Sequence, residues 1–212
     1  MVRALKNRFG PTDEIGCFEL GEYGLIGLPD PSGLFLSHRA DPVPGTCVTV
    51  TLEGRRPLLA EVQTLLCRLD GQEPARRVAS GLDYARVGMV VAVLQRRAQV
   101  QIGRHDIYAA TVGGVRLSEP AADLALALAL ASSRADASVP GDLVAVGEVG
   151  LAGEIRRVAG LQRRLAEAER MGFRRALVPI GSAALPSQAG QILVTEVPDV
   201  ISAIAAGLGG TR

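Results

Sequence analysis

Lysine is nearly absent from this chain of 212 residues. Of its 23 basic residues, 22 are arginine, and Lys6 is the only lysine. A Walker-type P-loop requires a lysine directly after a glycine, and Lys6 follows Leu5, so the sequence excludes that nucleotide-binding loop. Any mechanism that needs a lysine amine would have to use Lys6.

Aromatic residues and cysteines are also scarce. Tryptophan is absent and aromatic residues make up 3%, which argues against base-stacking platforms of the single-strand-binding kind. The three cysteines, Cys17, Cys47 and Cys67, form no C-x-x-C pair. Neither a zinc site nor a disulfide framework is therefore expected, and a reducing, cytoplasmic environment is favoured.

Long apolar runs are missing as well. The longest, residues 120–131, contains Asp123 and falls short of the roughly 18 apolar residues of a membrane-spanning helix. Residues 1–10 carry charge without an apolar segment, so no secretory signal is expected. Hydrophobic residues nevertheless make up 48% and charged residues 21%, a composition typical of a folded core rather than a disordered chain.

The net charge is +1, but the basic residues are concentrated in two segments. Residues 76–104 carry a local charge of +5 and residues 154–175 one of +4, which leaves the rest of the chain acidic. Such a distribution is typical of a basic face that meets phosphates, although two amphipathic helices with solvated arginines would give the same pattern. Near Arg163, Glu167 and Glu169 are expected to neutralise part of the second segment through helical i, i+4 contacts.

Hydrophobic periodicity and turn signals predict strands and helices in an α+β arrangement. The predicted strands cover residues 15–20, 23–28, 47–52, 57–66, 107–112, 143–149, 154–158, 175–179 and 192–197. The predicted helices cover residues 83–98, 118–134, 161–171 and 199–206. The proline-rich segment 41–45 is the best candidate for a linker.

Capping residues mark the ends of these helices. Asp83 and Ser118 are the predicted N-caps of the first two, and Gly172 and Gly207 are expected just beyond the last two. The helix after Ser118 carries apolar residues all round, so we expect it to be buried at the centre of the fold.

Three segments carry more specific motifs. They are K-N-R-F-G at 6–10 with the residues that follow to 16, and the segments 113–124 and 147–156. Together they resemble the RadA (Sms) family of bacterial RecA-like recombination proteins. The resemblance implies a tail of a RecA-like ATPase core at 1–40, a linker at 41–45 and a Lon-protease-like α+β domain at 46–208.

The same resemblance bears on cofactors. The full-length family has a zinc finger and a P-loop core that uses ATP and Mg²⁺, and neither part is found in this sequence. We therefore expect no cofactor and no metal in this chain. The family as a whole is a DNA-dependent ATPase or helicase.

The resemblance also locates a lost peptidase site. In the Lon class a serine at the start of one helix and a lysine on a later helix form a dyad, because a neutral amine must take the serine proton. By resemblance, Ala121 stands at the serine position and Gln162 at the lysine position. No catalytic residue is therefore expected.

The family further implies what an inactive Lon-like domain does. It is expected to bind DNA and to hold a hexamer of the RecA-like ATPase during DNA repair and branch migration of recombination intermediates. The implied partners are duplex or branched DNA, further copies of the chain and RecA, and no membrane is expected. The arginines proposed to bind DNA are Arg76, Arg77, Arg96, Arg97, Arg156, Arg157, Arg174 and Arg175. The alternatives are a Lon-class serine peptidase and a pure oligomerisation module without DNA contact.

Lys6 and Arg8 have a separate implied role. In the family they are thought to reach the nucleotide of a neighbouring subunit and couple its hydrolysis to DNA movement, since a cation near the γ-phosphate stabilises the charge of the transition state. A basic pair at a strand edge without that function is the alternative.

Overall fold

A computed structural model describes residues 2–3, 15–22, 24–28, 35–37, 41–71, 73–182 and 192–209. The K-N-R-F-G segment, with Lys6 and Arg8, lies outside these residues. The strands are β1 (Val2–Arg3), β2 (Ile15–Gly21), β3 (Gly24–Leu28), β4 (Thr46–Glu53), β5 (Arg56–Arg68), β6 (Arg77–Ser80), β7 (His105–Thr111), β8 (Leu143–Ala145), β9 (Glu148–Val149), β10 (Ile155–Arg156), β11 (Arg175–Pro179) and β12 (Leu193–Val197). The helices are α1 (Tyr84–Arg97), α2 (Asp123–Ala135), α3 (Leu161–Arg170) and α4 (Val200–Leu208).

Seven of the strands form one central sheet in the order β12-β11-β8-β4-β5-β7-β6. Four of its six pairings are parallel, and the two antiparallel ones join β5 to β4 and to β7. β1, β2 and β3 make a separate antiparallel sheet, and β9 pairs with β10. The chain is therefore a mixed α/β protein.

Helices cover both faces of the central sheet. Apolar residues of α1, α2 and α4, such as Val90, Leu128 and Ala203, belong to the larger core cluster. Leu161 and Leu165 of α3 belong to a second cluster, which takes the alternate residues of the same strands and so lies on the opposite face. None of the four described helices is long and apolar enough to cross a membrane.

Most of the predicted elements are confirmed. α1 begins after Asp83, whose side chain accepts a hydrogen bond from the amide of Arg86 at 2.8 Å, and α2 is buried at every residue from 123 to 132. β9 and β10 form the hairpin expected after residue 149. β6 has no counterpart among the predicted strands, because it is a short edge strand with three of its four residues exposed.

Two predictions about helix ends are wrong. Ser118 is not an N-cap: a short 3-10 turn at Pro120–Ala122 precedes α2, and Glu119 occupies the cap position without a side-chain capping bond because its carboxylate binds Arg164. Gly207 lies inside α4 and not beyond it. A side chain there would meet Leu128, so the glycine allows α4 to pack closely on α2.

The segment that precedes β4 is tied to the main sheet by hydrogen bonds. The amide of Glu61 donates to the carbonyl of Phe35 at 2.9 Å, and the amide and hydroxyl of Ser37 donate to the Glu61 carboxylate at 2.8 and 2.5 Å. The amide of Gly45 donates to Oγ of Ser132 at 2.9 Å. The predicted linker is thus anchored at its end, and the domain boundaries at 40 and 46 stay predictions.

Candidate nucleic-acid interface

The two positions assigned to a lost dyad lie in different environments. Ala121, on the 3-10 turn before α2, is 1% exposed and belongs to an apolar cluster that includes Val50 and Val144. Gln162 is exposed on the first turn of α3 and lines a cavity of about 370 Å³. Ala121 is not among the residues that line this cavity. Neither side chain carries a group that could act as a nucleophile or a base.

An ion pair joins the segments that hold these two positions. The guanidinium of Arg164 is 1% exposed and binds both carboxylate oxygens of Glu119, at 2.6 and 2.7 Å. The same guanidinium donates to the carbonyls of Val50 and Ala159 at 2.5 and 3.0 Å, and the amide of Leu52 donates to Glu119 at 2.8 Å. Arg164 is fully engaged inside the protein and cannot reach a ligand.

Electrostatics favour this pair as an ion pair. Burial by itself would raise the pKa of the Glu119 carboxyl, but the hydrogen bonds and charge of Arg164, with further bonds from Thr51 and Leu52, hold that pKa below its ordinary value. A half-buried carboxylate that keeps its charge fixes the start of α2 against α3.

The pairing of Glu119 with Arg164 is absent from the sequence-based predictions, although a signal for it exists. In α3 the buried residues are Leu161, Arg164, Leu165 and Ala168, at the i, i+3, i+4, i+7 spacing of one helix face. An arginine on the apolar face of a helix needs a buried acceptor, so Arg164 could have been separated from its neighbour Arg163 by periodicity alone. The identity of the acceptor could not, because Glu119 lies 45 residues away.

Two other arginines line the cavity at the start of α3. Arg157 and Arg163 are exposed, and each makes one long hydrogen bond to a backbone carbonyl, from Nε to Ile180 and from Nη1 to Arg55, both at 3.4 Å. Within the described part of the chain, neither is paired with a carboxylate. Two guanidinium groups at one cavity create a positive site suited to a phosphate.

A glycine allows Arg157 to lie close to the backbone of this cavity. Gly181 has a φ of +74°, in the left-handed region, and a side chain there would collide with the guanidinium of Arg157. Gly160, just before α3, has a φ of +67° and provides no side-chain cap for the helix. The cavity is thus bounded by two backbone positions that favour glycine and by two cationic side chains.

The remaining candidate arginines do not join this site. Arg156 pairs with Glu154 at 2.5 Å and lies 3.7 Å from Glu148, and Arg175 pairs with Asp142. Arg96 and Arg97 lie at the C-terminal end of α1. Arg76 and Arg77 lie at the start of the edge strand β6, and Arg174 directly precedes β11. Since β6 and β11 are five steps apart in the sheet, about 24 Å, the eight predicted arginines form no single patch.

A second ion pair lies at the first residue of α2. Asp123, the first residue of α2, is 3% exposed, pairs with Arg86 of α1 and accepts the amide of Val149 at 3.1 Å. Burial raises the pKa of the Asp123 carboxyl, and the bonds from Arg86 and Val149 oppose that shift. These contacts link α1, α2 and β9.

Metal ligands do not gather in the described residues: no group of three or more His, Cys, Asp or Glu side chains there could hold an ion. Cys47 is buried and Cys67 is exposed. Burial, with the charge of Glu61, raises the pKa of the Cys47 thiol to about 12, so this thiol is protonated at neutral pH and is not an activated nucleophile.

Comparison with known proteins identifies relatives that match most or all of the chain. It is 54% identical over 187 residues to the DNA repair protein RadA of Mycolicibacterium smegmatis, a match that covers 88% of this chain and 40% of the relative. It is 56% identical over 179 residues to RadA of Mycobacterium tuberculosis (84% and 37%) and 44% identical over 214 residues to RadA of Brucella abortus (100% and 46%). The chain is a homologue of RadA.

The match covers only part of each RadA relative. The chain spans less than half the length of these RadA proteins. Residues 95–182, which include α2, α3 and the cavity, also match the family model described as subunit ChlI of Mg-chelatase. The resemblance to RadA inferred from three motif segments is thus confirmed. The role of the K-N-R-F-G segment and the Lon-like fold stay predictions.

Proposed function

We propose that the chain is a DNA-binding part of a DNA repair and recombination protein and has no peptidase activity. The relatives that carry the name DNA repair protein support the first part. The observation on which DNA binding depends is the cavity at the start of α3, where Arg157 and Arg163 converge without a carboxylate partner among the described residues.

The absence of peptidase activity follows from side-chain chemistry if residues 46–208 form a Lon-like domain. Ala121 has no hydroxyl and Gln162 has no amine, and residues 46–208 contain no lysine that could replace one. Glu119 and Arg164 occupy the space between the two segments with an ion pair. Residues 1–40 would then be the tail of a RecA-like ATPase core.

DNA contact at this surface is expected to be independent of sequence. Arginine binds phosphate oxygens through two parallel hydrogen bonds, and such contacts position a protein on the duplex without reading bases. Among the eight candidates, Arg157 is the best placed, while Arg156 and Arg175 already have carboxylate partners and contribute less. Arg76, Arg77, Arg96, Arg97 and Arg174 are proposed as secondary contacts with longer or branched DNA.

The proposal extends to the assembly. We place the chain in a homo-oligomer, a hexamer, in which the domain carries a ring of ATPase cores in the cytoplasm and acts in branch migration with RecA. Lys6 and Arg8 would couple a neighbouring subunit's nucleotide to DNA movement. ATP, Mg²⁺ and zinc would bind parts of the family that this sequence does not contain. Several modest basic sites in a ring would give multivalent binding.

The proposal is tested by binding of a fluorescent duplex over a range of salt concentrations. The chain should bind, and the double variant Arg156→Ala with Arg157→Ala should weaken binding and lower the salt slope by about one to two, since each phosphate contact contributes about 0.9. Arg104→Ala with Arg134→Ala is the matched control, because both arginines are exposed and, among the described residues, neither is paired with a carboxylate.

Three outcomes separate the candidate functions. Weaker duplex binding and a lower salt slope in the double variant, with no cleavage of casein, support a DNA-binding domain. Rings in light scattering without any DNA binding would point to an oligomerisation module and contradict the proposal. Cleavage of casein by the purified chain would contradict its second part.

A further inference from the structure

The cavity at the start of α3 has features beyond a general basic surface. We propose that it is a seat for one phosphate group, bound by Arg157, Arg163 and Ser182 together with the free amides of the first turn of α3. This inference rests on the proposed DNA-binding function, and it names the chemistry of one contact within it. Only Arg157 of these three residues is among the arginines predicted from the sequence.

The two arginines are free to change partner. Each donates to a carbonyl at 3.4 Å, a distance at the long limit of hydrogen bonding, so a charged oxygen in the cavity would displace these bonds readily. From the sequence, Glu167 and Glu169 are expected to neutralise part of the basic segment near Arg163. In the structure Glu167 instead accepts from Arg170 at 2.6 and 2.9 Å, and Arg163 keeps its charge unpaired among the described residues.

The helix end supplies a second set of donors. α3 begins after Gly160, which cannot cap it with a side chain, and its first intrahelical bond runs from the amide of Arg164 to the carbonyl of Gly160. The amides of residues 161–163 therefore have no intrahelical acceptor, and they lie at the positive end of the helix dipole. An anion at this position is stabilised by both effects.

Ser182 provides an observation independent of the helix end. It is 6% exposed, it lines the same cavity, and within the described residues its hydroxyl has no hydrogen-bond partner. Its oxygen keeps contact with solvent, so in the cavity a phosphate oxygen would take the place of water as its hydrogen-bond partner. Two guanidinium groups, a hydroxyl and unpaired amides thus surround one space.

The test follows amide NMR signals of the chain during two titrations, one with inorganic phosphate and one with a short DNA duplex. We expect phosphate to shift the signals of residues 160–163, 181 and 182, and the duplex to shift the same signals. The variant Arg157→Gln with Arg163→Gln should weaken both titrations by about tenfold or more, because two charge-assisted contacts are lost. Arg104→Gln with Arg134→Gln is the matched control, because it also removes two exposed charges and neither residue lines the cavity. Circular dichroism checks that each variant is folded.

The outcomes of the two titrations show whether the cavity binds a phosphate and from which kind of ligand that phosphate comes. Shared shifts that depend on Arg157 and Arg163 support a seat for a DNA phosphodiester. Shifts with phosphate that the duplex does not reproduce support a phosphate seat whose ligand is a free phosphate compound. Duplex binding that leaves residues 160–163 unaffected would overturn the phosphate seat and leave the proposed DNA binding intact. Absence of duplex binding in any form would instead contradict the proposed function itself.

Discussion

At the scale of single residues, two neighbours in α3 have opposite roles although their side chains are identical. Arg164 points into the protein and binds Glu119, whereas Arg163 lines a cavity open to solvent. Successive residues of a helix are rotated by about 100°, so neighbours cannot share a face. Counting arginines therefore overestimates the charge available to DNA, and the direction of each side chain decides its role.

The buried ion pair leads to a stability prediction. Arg164→Met should lower the free energy of unfolding by about 3 kcal/mol, because it leaves the Glu119 carboxylate partly buried without its cation. Adding Glu119→Gln should restore part of that loss, since the remaining group is neutral. Urea unfolding measures both, and Arg163→Met is the control expected to change stability by less than about 0.5 kcal/mol. Equal effects of Arg164→Met and Arg163→Met would show that the pair does not stabilise the fold.

At the scale of elements, local patterns were sufficient where a segment's own residues determine its structure. β11 was predicted at its observed bounds, and α1 within one residue, because strong apolar periodicity and the Asp83 cap lie within the segment. The cap proposed at Ser118 is wrong because a 3-10 turn at Pro120–Ala122 precedes α2 and the cap position of that turn falls at Glu119. β6 was missed because its stability comes from pairing with β7 and not from its own sequence.

The contrast between the two proposed caps can be measured. Asp83→Ala should lower the free energy of unfolding by about 1 kcal/mol, since the Arg86 amide loses its acceptor. Ser118→Ala should change it by less than about 0.5 kcal/mol, because the exposed Ser118 does not cap the 3-10 turn or α2. Thermal and urea unfolding of both variants provide the comparison, and a larger cost at Ser118 than at Asp83 would contradict the observed helix start.

At the scale of the whole molecule, the sequence predicted the kinds of elements but not how they meet. Glu119 precedes α2 in the sequence and Arg164 follows it. The order of strands in the sheet brings the two residues together, and no local sequence pattern predicts that contact. The same folding disperses the arginine pairs from β6 at one edge to β11 near the other. The number and position of the arginines in the sequence predict basic segments. The tertiary structure is needed to show that Arg157 and Arg163, which have no carboxylate partner among the described residues, line one cavity.

The arrangement of the whole molecule also predicts that two substitutions at Ala121 and Gln162 do not create a Ser–Lys dyad. In the variant Ala121→Ser with Gln162→Lys, the new hydroxyl would lie at a position that is 1% exposed within an apolar cluster, where a substrate carbonyl cannot reach it. The new amine would lie on the exposed cavity side of α3, which residue 121 does not line. We expect no cleavage of fluorescent casein above that of the parent chain, and a stability loss of about 1–3 kcal/mol from burying an unpartnered hydroxyl. Casein cleavage that appears only when both substitutions are present would contradict this prediction, because it would require the two positions to meet at a site open to substrate.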